Sequence, residues 1–487
     1  MKARCVMVLG TSSGAGKSWL VTALCRLYAR RGLRVAPFKA QNMSNNARVV
    51  AHPDGGEGEI GSAQYFQALA AGVEPDVRMN PVLLKPEADT RSQVVCLGRV
   101  DAALSAQPWR QRSARLWPLA AQALDALRAE HDVIVIEGAG SPAEINLHDS
   151  DYVNLGTARH SAARCWLVAD IDRGGALAHL YGTWALLPED VRGQLRGFVL
   201  NKFRGDAALL SPGPERLHAL TGVPTVGTLP LLRGHGLPEE DGVFDDRTHA
   251  AGAVHTTVAV VAYPRISNLD EFQPLCNVAG LRLVWARTPA QCVGADWIIL
   301  PGSKATAADL AWLRAQGLDA AIAAHAAHGG RVLGICGGLQ MLGEALVDPH
   351  GVDGNAAGLG LLPLVTCFEP RKTVRRRRVT LAPCPGPWAA LGGLTVQGYE
   401  IHHGHTVQHP ALAARGELAR ELSPGVAWAN PAGNVLGVYL HGLLEDPGAL
   451  RALFGARARP WDEVFDTLAN HVQAHLTPGA LDALLNP

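Results

Sequence analysis

The twelve residues RVLGICGGLQML, positions 331–342, constrain the fold of this chain more than any other stretch. Residues 332–335 form a short apolar run that reads as a buried strand. Gly337 and Gly338 turn it sharply into a helix carrying Leu339, Met341 and Leu342. Strand, tight turn and helix, with a nucleophile at the turn, is the geometry of a nucleophile elbow, here with cysteine in place of serine. Glycines flank Cys336 because a turn this tight leaves no room for a Cβ. The turn puts the sulfur at the mouth of a sheet, and the helix that starts there favours a thiolate. A lone cysteine is more often a small apolar filler of a core. The G-x-C-G-G context outweighs that reading and marks Cys336 as a nucleophile.

A second glycine-rich turn sits near the start. Residues 6–9 are a short strand, followed by GTSSGAGKS at 10–18 and by a helix with Leu20, Val21, Leu24, Leu27 and Tyr28 on one face. This is the phosphate-loop arrangement. Gly10, Thr11, Gly14 and Gly16 supply a backbone that cradles phosphate oxygens, Lys17 neutralises their charge, and Ser18 can hold Mg²⁺. The spacing departs from the usual pattern, because five residues separate Gly10 from Gly16.

Further strands in this half end in polar residues, and in a parallel sheet strand ends face the ligand crevice. The strand at 33–38 delivers Lys39, Gln41 and Asn42, read as substrate-binding groups against the bland alternative of turn-forming Asn and a solvated Lys. Glu59 opens a helix running to residue 71, and the run at 79–86 ends in Lys85, another substrate-binding candidate. The β-branched strand at 132–136 delivers Glu137, the expected position of a Mg²⁺ ligand; the bland alternative is a turn acid before glycines. The strand at 197–200 leads to Asn201, placed to read adenine. Strands and helices alternate to about residue 230, which predicts a doubly wound parallel sheet.

A length of 487 residues allows two or three domains. The charges balance, 44 Lys and Arg against 44 Asp and Glu, so nothing global draws the chain to nucleic acid or an anionic membrane. Its 9 cysteines show no C-x-x-C pair and no zinc spacing, which points to reduced thiols and a cytoplasmic location. The apolar run after the basic start is too short for a signal peptide and reads as a first strand. No stretch approaches the length of a membrane span.

Residues 232–253 lack apolar periodicity and read as a linker. A new sheet begins at 258–262 and continues at 281–285 and 297–300. A Pro301-Gly302 turn follows; beside Cys336, its amides and that of Gly337 would form an oxyanion hole. The basic run at 371–378 has no aromatic partners and reads as a salt-bridged strand edge. Three histidines at 402, 403 and 405 invite a metal reading, but alternation favours a strand with Glu400 and His402 on one face. The strand at 436–440 presents His441, the best-placed base for a thiol. Helices from residue 446 onward are expected to pack across this second domain.

These residues resemble the cobyric acid synthase family, glutamine-dependent amidases of corrin side chains in cobalamin biosynthesis. The matching stretches are PFKAQNM at 37–43, EIGSAQ at 59–64, MNPVLLKP at 79–86, EGAGSPAEIN at 137–146, ADIDRGG at 169–175 and NKFRGD at 201–206, with the Cys336 and His441 segments. The resemblance implies two doubly wound α/β domains. Residues 1–231 would be a dethiobiotin-synthetase-like, P-loop ATP-binding amidoligase domain, and 232–253 the linker. Residues 254–448 would be a flavodoxin-like class I glutamine amidotransferase domain, with C-terminal helices at 449–487. It further implies ATP and Mg²⁺ as cofactors, with Ser18, Glu137 and, more weakly, Glu59 as metal ligands. The implied reaction amidates the b, d, e and g carboxylates of adenosylcobyrinic acid a,c-diamide, with glutamine as nitrogen donor. Rival readings are the cobyrinic acid a,c-diamide synthase, and a ParA- or MinD-like ATPase with a degenerate amidotransferase domain. Class I glutamine amidotransferases often carry Glu two residues after the catalytic His; here Leu443 stands there, so no acid is assigned to orient His441. The corrinoid-binding pattern D-x-H-x-x-G is not met at His179, because Leu177 takes the Asp position. The oligomeric state stays open.

Overall fold

The computed structural model describes residues 2–88, 90–238, 249–250, 253–456 and 459–486. Of the linker expected at 232–253, residues 239–248 and 251–252 lie outside the described residues. Strand Arg4–Gly10 is central to a six-stranded, all-parallel sheet. In spatial order the sheet runs Thr225–Pro230, Leu195–Phe203, Arg164–Asp170, Arg4–Gly10, Val133–Glu137 and Val35–Phe38. Successive side chains of a strand point to opposite faces, and both faces here are apolar. Cys5, Met7 and Leu9 join a core with Leu116, Ala120 and Leu124, while Val6 and Val8 join another with Leu20, Val21 and Leu24. Each such fully buried aliphatic side chain stabilises the fold by roughly 1.5–3 kcal/mol. The doubly wound sheet expected from the alternation is present.

The second large sheet has eight strands. Its parallel centre runs Leu281–Ala286, Thr256–Val261, Trp297–Leu300, Arg331–Ile335 and Val435–Val438. Antiparallel strands His249–Ala250 on one side, and Ala427–Ala429 and Arg420–Ser423 on the other, complete it. The apolar run before Cys336 is therefore an interior strand, as its composition predicts.

Two local expectations are corrected. Glu59 does not open a helix: it sits in strand Glu57–Gly61, paired antiparallel with Ala47–Ala51, and the helix begins at Ser62. Glycines at 58 and 61 suit a strand crossed closely by other groups, since a Cβ on Gly58 would meet the Gly98 backbone at 2.9 Å. The C-terminal helices also divide. Pro447–Phe454 packs on the second sheet through Leu450, but Trp461–Ala474 and Ala480–Leu485 return to the first half. Val464, Phe465, Leu468, Val472 and Leu481 cover helix Lys17–Arg30, and Arg26 pairs with Asp466 at 2.6 Å. Their amphipathic pattern demanded an apolar partner without saying which sheet would provide it.

The two halves meet along the hairpin at 47–61. Ala47, Val49, Leu83 and Val95 of the first half pack on Tyr399 and Ile401 of strand Thr395–His402.

Candidate active site

Cys336 occupies the corner between strand Arg331–Ile335 and helix Gly337–Leu342 with φ 53° and ψ −107°. A non-glycine residue held there costs about 1–3 kcal/mol, and such strain collects at functional sites. The packing around the corner imposes it. A Cβ on Gly338 would lie 1.9 Å from the Leu300 carbonyl oxygen, and one on Gly337 would lie 2.7 Å from the Ser303 amide. Gly302 passes close to His441, because a Cβ there would be 3.0 Å from its Cε1. Gly302 thus lies beside His441, and Gly337 follows Cys336 directly.

His441 is buried, with Nδ1 3.2 Å from Glu271 Oε1, and the Gly442 amide donates to Glu271 Oε2 at 3.4 Å. Burial opposes the imidazolium, but the charges of Glu271 and then Cys336 outweigh it, and the His441 pKa is raised to about 10. Tyr399 stacks on the ring with centroids 5.3 Å apart, and its backbone exchanges hydrogen bonds with that of His441. Glu271 was missed by sequence reasoning. It stands in a short turn, Leu269–Phe272, and its partner is 170 residues away. The one sequence signal is the acidic pair Asp270-Glu271 just past a strand end.

In the other half, Ser18 donates to Glu137 Oε1 at 2.9 Å, and Lys39 Nζ reaches the same oxygen at 2.7 Å. Gln67 donates to the second oxygen at 2.6 Å. Lys17 folds over Gly10, where a Cβ would strike its Cδ at 2.9 Å, and donates to the carbonyls of Ser12 and Gly140. The Thr11 amide donates to the Val168 carbonyl, and Gly14 and Gly16 both hold positive φ. Asn201 is turned onto the loop: Nδ2 donates to the Ala15 carbonyl at 2.9 Å and Oδ1 accepts from the Lys202 amide. Its amide braces the loop backbone.

A hydroxyl beside a carboxylate is the donor chemistry of a hard cation, so Ser18 and Glu137 fit Mg²⁺, with Lys39 as the group that must make room. Glu59 is not brought to them. Lys85 holds one of its oxygens at 2.8 Å and Lys372, from the other half, holds the second. Burial acts to raise the Glu59 pKa, but Lys372 and Lys85 outweigh it and hold the carboxyl at about 2. Burial in turn pulls the Lys372 pKa down to about 7, and the pairing with two lysines sets Glu59 in an ion-pair cluster apart from Ser18 and Glu137. Gln41 accepts from the Tyr152 hydroxyl at 2.6 Å, and Asn42 donates to Gln64 at 3.1 Å. Among the described residues no group of three or more His, Cys, Asp and Glu is arranged for a metal; His402 bonds Glu400 and His403 a backbone carbonyl. Glu400 in turn pairs with Arg375 and Arg377, so the basic run is a salt-bridged strand. A cleft lined by Ser18, Thr22, Asn46, Ser62 and Asp270 runs from the nucleotide loop to the joint between the halves. Among the described residues no helix is long and apolar enough to cross a membrane.

Comparison with known proteins agrees with this division. Residues 6–237 match the CobQ/CobB/MinD/ParA nucleotide binding domain, and residues 257–449 match the CobB/CobQ-like glutamine amidotransferase domain. Over 482 residues the chain is 73% identical to a cobyric acid synthase of Paracidovorax citrulli (strain AAC00-1), covering 98% of each chain. It is 72% identical over 494 residues to that of Acidovorax ebreus (strain TPSY), covering 99% of each. With Leptothrix cholodnii (strain ATCC 51168 / LMG 8142 / SP-6) the identity is 63%, over 100% of this chain and 98% of the relative. Since these similarities run through both halves and the joint between them, the chain belongs to the cobyric acid synthase family.

Proposed function

We propose that this chain converts the b, d, e and g carboxylates of adenosylcobyrinic acid a,c-diamide to amides, using ATP and glutamine. The observation that carries the reading is the pairing of two complementary sites in one chain. A Cys336–His441–Glu271 array can release ammonia, and the 10–18 loop can activate a carboxylate. Cys336 sulfur attacks the glutamine carboxamide carbon, and His441 passes a proton to the departing ammonia. Water then cleaves the glutamyl thioester, with Gly302 and Gly337 as oxyanion donors. In the other half a corrin carboxylate oxygen takes the terminal phosphoryl group of ATP, and ammonia displaces phosphate from the acyl phosphate. Lys17 neutralises charge on the transferred group, and Ser18 with Glu137 would hold Mg²⁺. When bound, that ion offsets phosphate charge. Lys39 and Lys85, here paired with Glu137 and Glu59, would turn with the amides of Gln41 and Asn42 to the corrinoid's acidic rim. A cytoplasmic location, with ATP and reduced thiols at hand, goes with this reading.

Incubation of the protein with ATP, Mg²⁺, glutamine and the a,c-diamide should yield four successive amidations by mass spectrometry. Cys336→Ala should lose amidation from glutamine and keep it from ammonium salts. Loss of both would sink the two-site mechanism. Amidation of unamidated cobyrinic acid alone would transfer the assignment to the a,c-diamide synthase.

A further inference from the structure

Arg48 belongs to strand Ala47–Ala51 of the nucleotide-binding half, yet its guanidinium is buried against the catalytic turn of the other half. Nε donates to Asp270 Oδ2 at 2.8 Å, and Nη2 bonds the same oxygen. Nη1 and Nη2 donate to the two oxygens of Glu445 at 2.8 and 2.7 Å. The rings of Tyr65, Phe66 and Tyr399 surround it at 5.5, 5.1 and 5.2 Å. Asp270 precedes Glu271, and Tyr399 stacks on His441, so two partners of Arg48 are one step from the glutamine site. Neighbouring residues bind the same turn. The Leu269 amide donates to Asn46 Oδ1 at 2.9 Å, and Asn268 Nδ2 donates to the Ala47 carbonyl at 2.8 Å.

Three carboxylates are therefore crowded together: Asp270 and Glu445 share Arg48, and Glu271, next to Asp270, reaches His441. Like charges this close in a buried site do not all stay ionised without a counter-ion. Burial raises the Glu445 pKa and Arg48 opposes it, with Asp270 and Glu271 adding to the rise. The other titratable groups facing this cluster are His441, Cys336, Tyr399 and Tyr65, with Glu74 and Arg376 beyond Tyr65.

We propose that Arg48 is a positioning residue for glutamine hydrolysis, reaching across the joint to pin the 269–272 turn and keep Glu271 available to His441. The proposal rests on the function given above. Its consequence is that the glutaminase site is completed by the nucleotide-binding half, so nitrogen release depends on the docked joint.

The test uses full-length variants. In Arg48→Gln, glutaminase kcat should fall about 10²-fold with KM for glutamine little changed, because the lost group acts through the base and not on the substrate. Amidation from ammonium should stay close to that of the unaltered protein. The residual glutaminase should gain an acidic limb near neutrality, as one of the three carboxylates takes a proton. Arg48→Lys, which restores the charge, and Arg48→Gln with Glu445→Gln, which removes one repulsion, should both recover rate and suppress that limb. An unchanged rate in Arg48→Gln overturns the proposal. So does a loss uniform across pH that neither rescue variant recovers, or an equal loss of ammonium-driven amidation. Absence of glutamine hydrolysis in the unaltered protein would instead overturn the parent function, and this proposal with it.

Discussion

The charge on His441 depends on a residue that its own strand does not provide. Glu271 is the largest contributor that favours the imidazolium. Glu271→Gln should therefore reduce glutaminase kcat on the order of 10²-fold and move the alkaline limb of its pH profile from about 10 toward neutrality. The same pairing has a stability consequence. The folded pKa lies above the ordinary value of roughly 6.5, so the pair stabilises the fold fully below that pH and ceases to as pH climbs through about 10. Urea unfolding across that window should show the decline, and Glu271→Gln should flatten it. Lys17→Ala, in the other half, should lower amidation from glutamine and from ammonium by the same factor, because it serves the phosphoryl transfer that both nitrogen sources share.

Among the elements, the elbow is the most tightly specified. Both glycines after Cys336 are held against backbone of the neighbouring strand and turn, which cannot swing aside as a side chain can. Gly338→Ala should destabilise by about 1–3 kcal/mol or more, read as a fall in urea midpoint, with glutaminase lost in step. The hairpin at 47–61 is specified differently, by charge. Glu59 gains stability from Lys85 and Lys372 above the ordinary carboxylate range and loses it as pH falls toward about 2. Lys372→Met leaves the buried carboxylate with Lys85 alone and should cost about 1–3 kcal/mol in urea melts near pH 6, below the Lys372 pKa of about 7 that burial imposes.

The whole molecule is tied together by its ends. Helix Trp461–Ala474 lies after the glutaminase half in sequence but completes the core over helix Lys17–Arg30. Phe465→Ala should destabilise by about 3–5 kcal/mol. Calorimetry with and without ATP should place that loss in the nucleotide-binding half, since ATP shifts the affected transition. A C-terminal position thus governs the stability of the N-terminal site.

Much of the candidate site was legible in the chain because its patterns are local. The turn at Cys336, the loop from Gly10 to Ser18, Glu137 at a strand end and His441 at another all declare themselves through neighbours a few residues away. Strand alternation and apolar runs likewise determined two sheets with parallel centres, since burial on both faces follows directly from composition. Tertiary structure alone decided the rest. Glu271 meets His441 across 170 residues, and Arg48 meets Asp270 across 222. A carboxylate in a turn, or an arginine in a hairpin, has no local pattern that names its partner. The same holds for Glu59, which two lysines from different halves take as a counter-ion, and for the last helices, whose apolar faces fit either sheet. Periodicity specifies that a face will be buried; only the packed chain specifies against what.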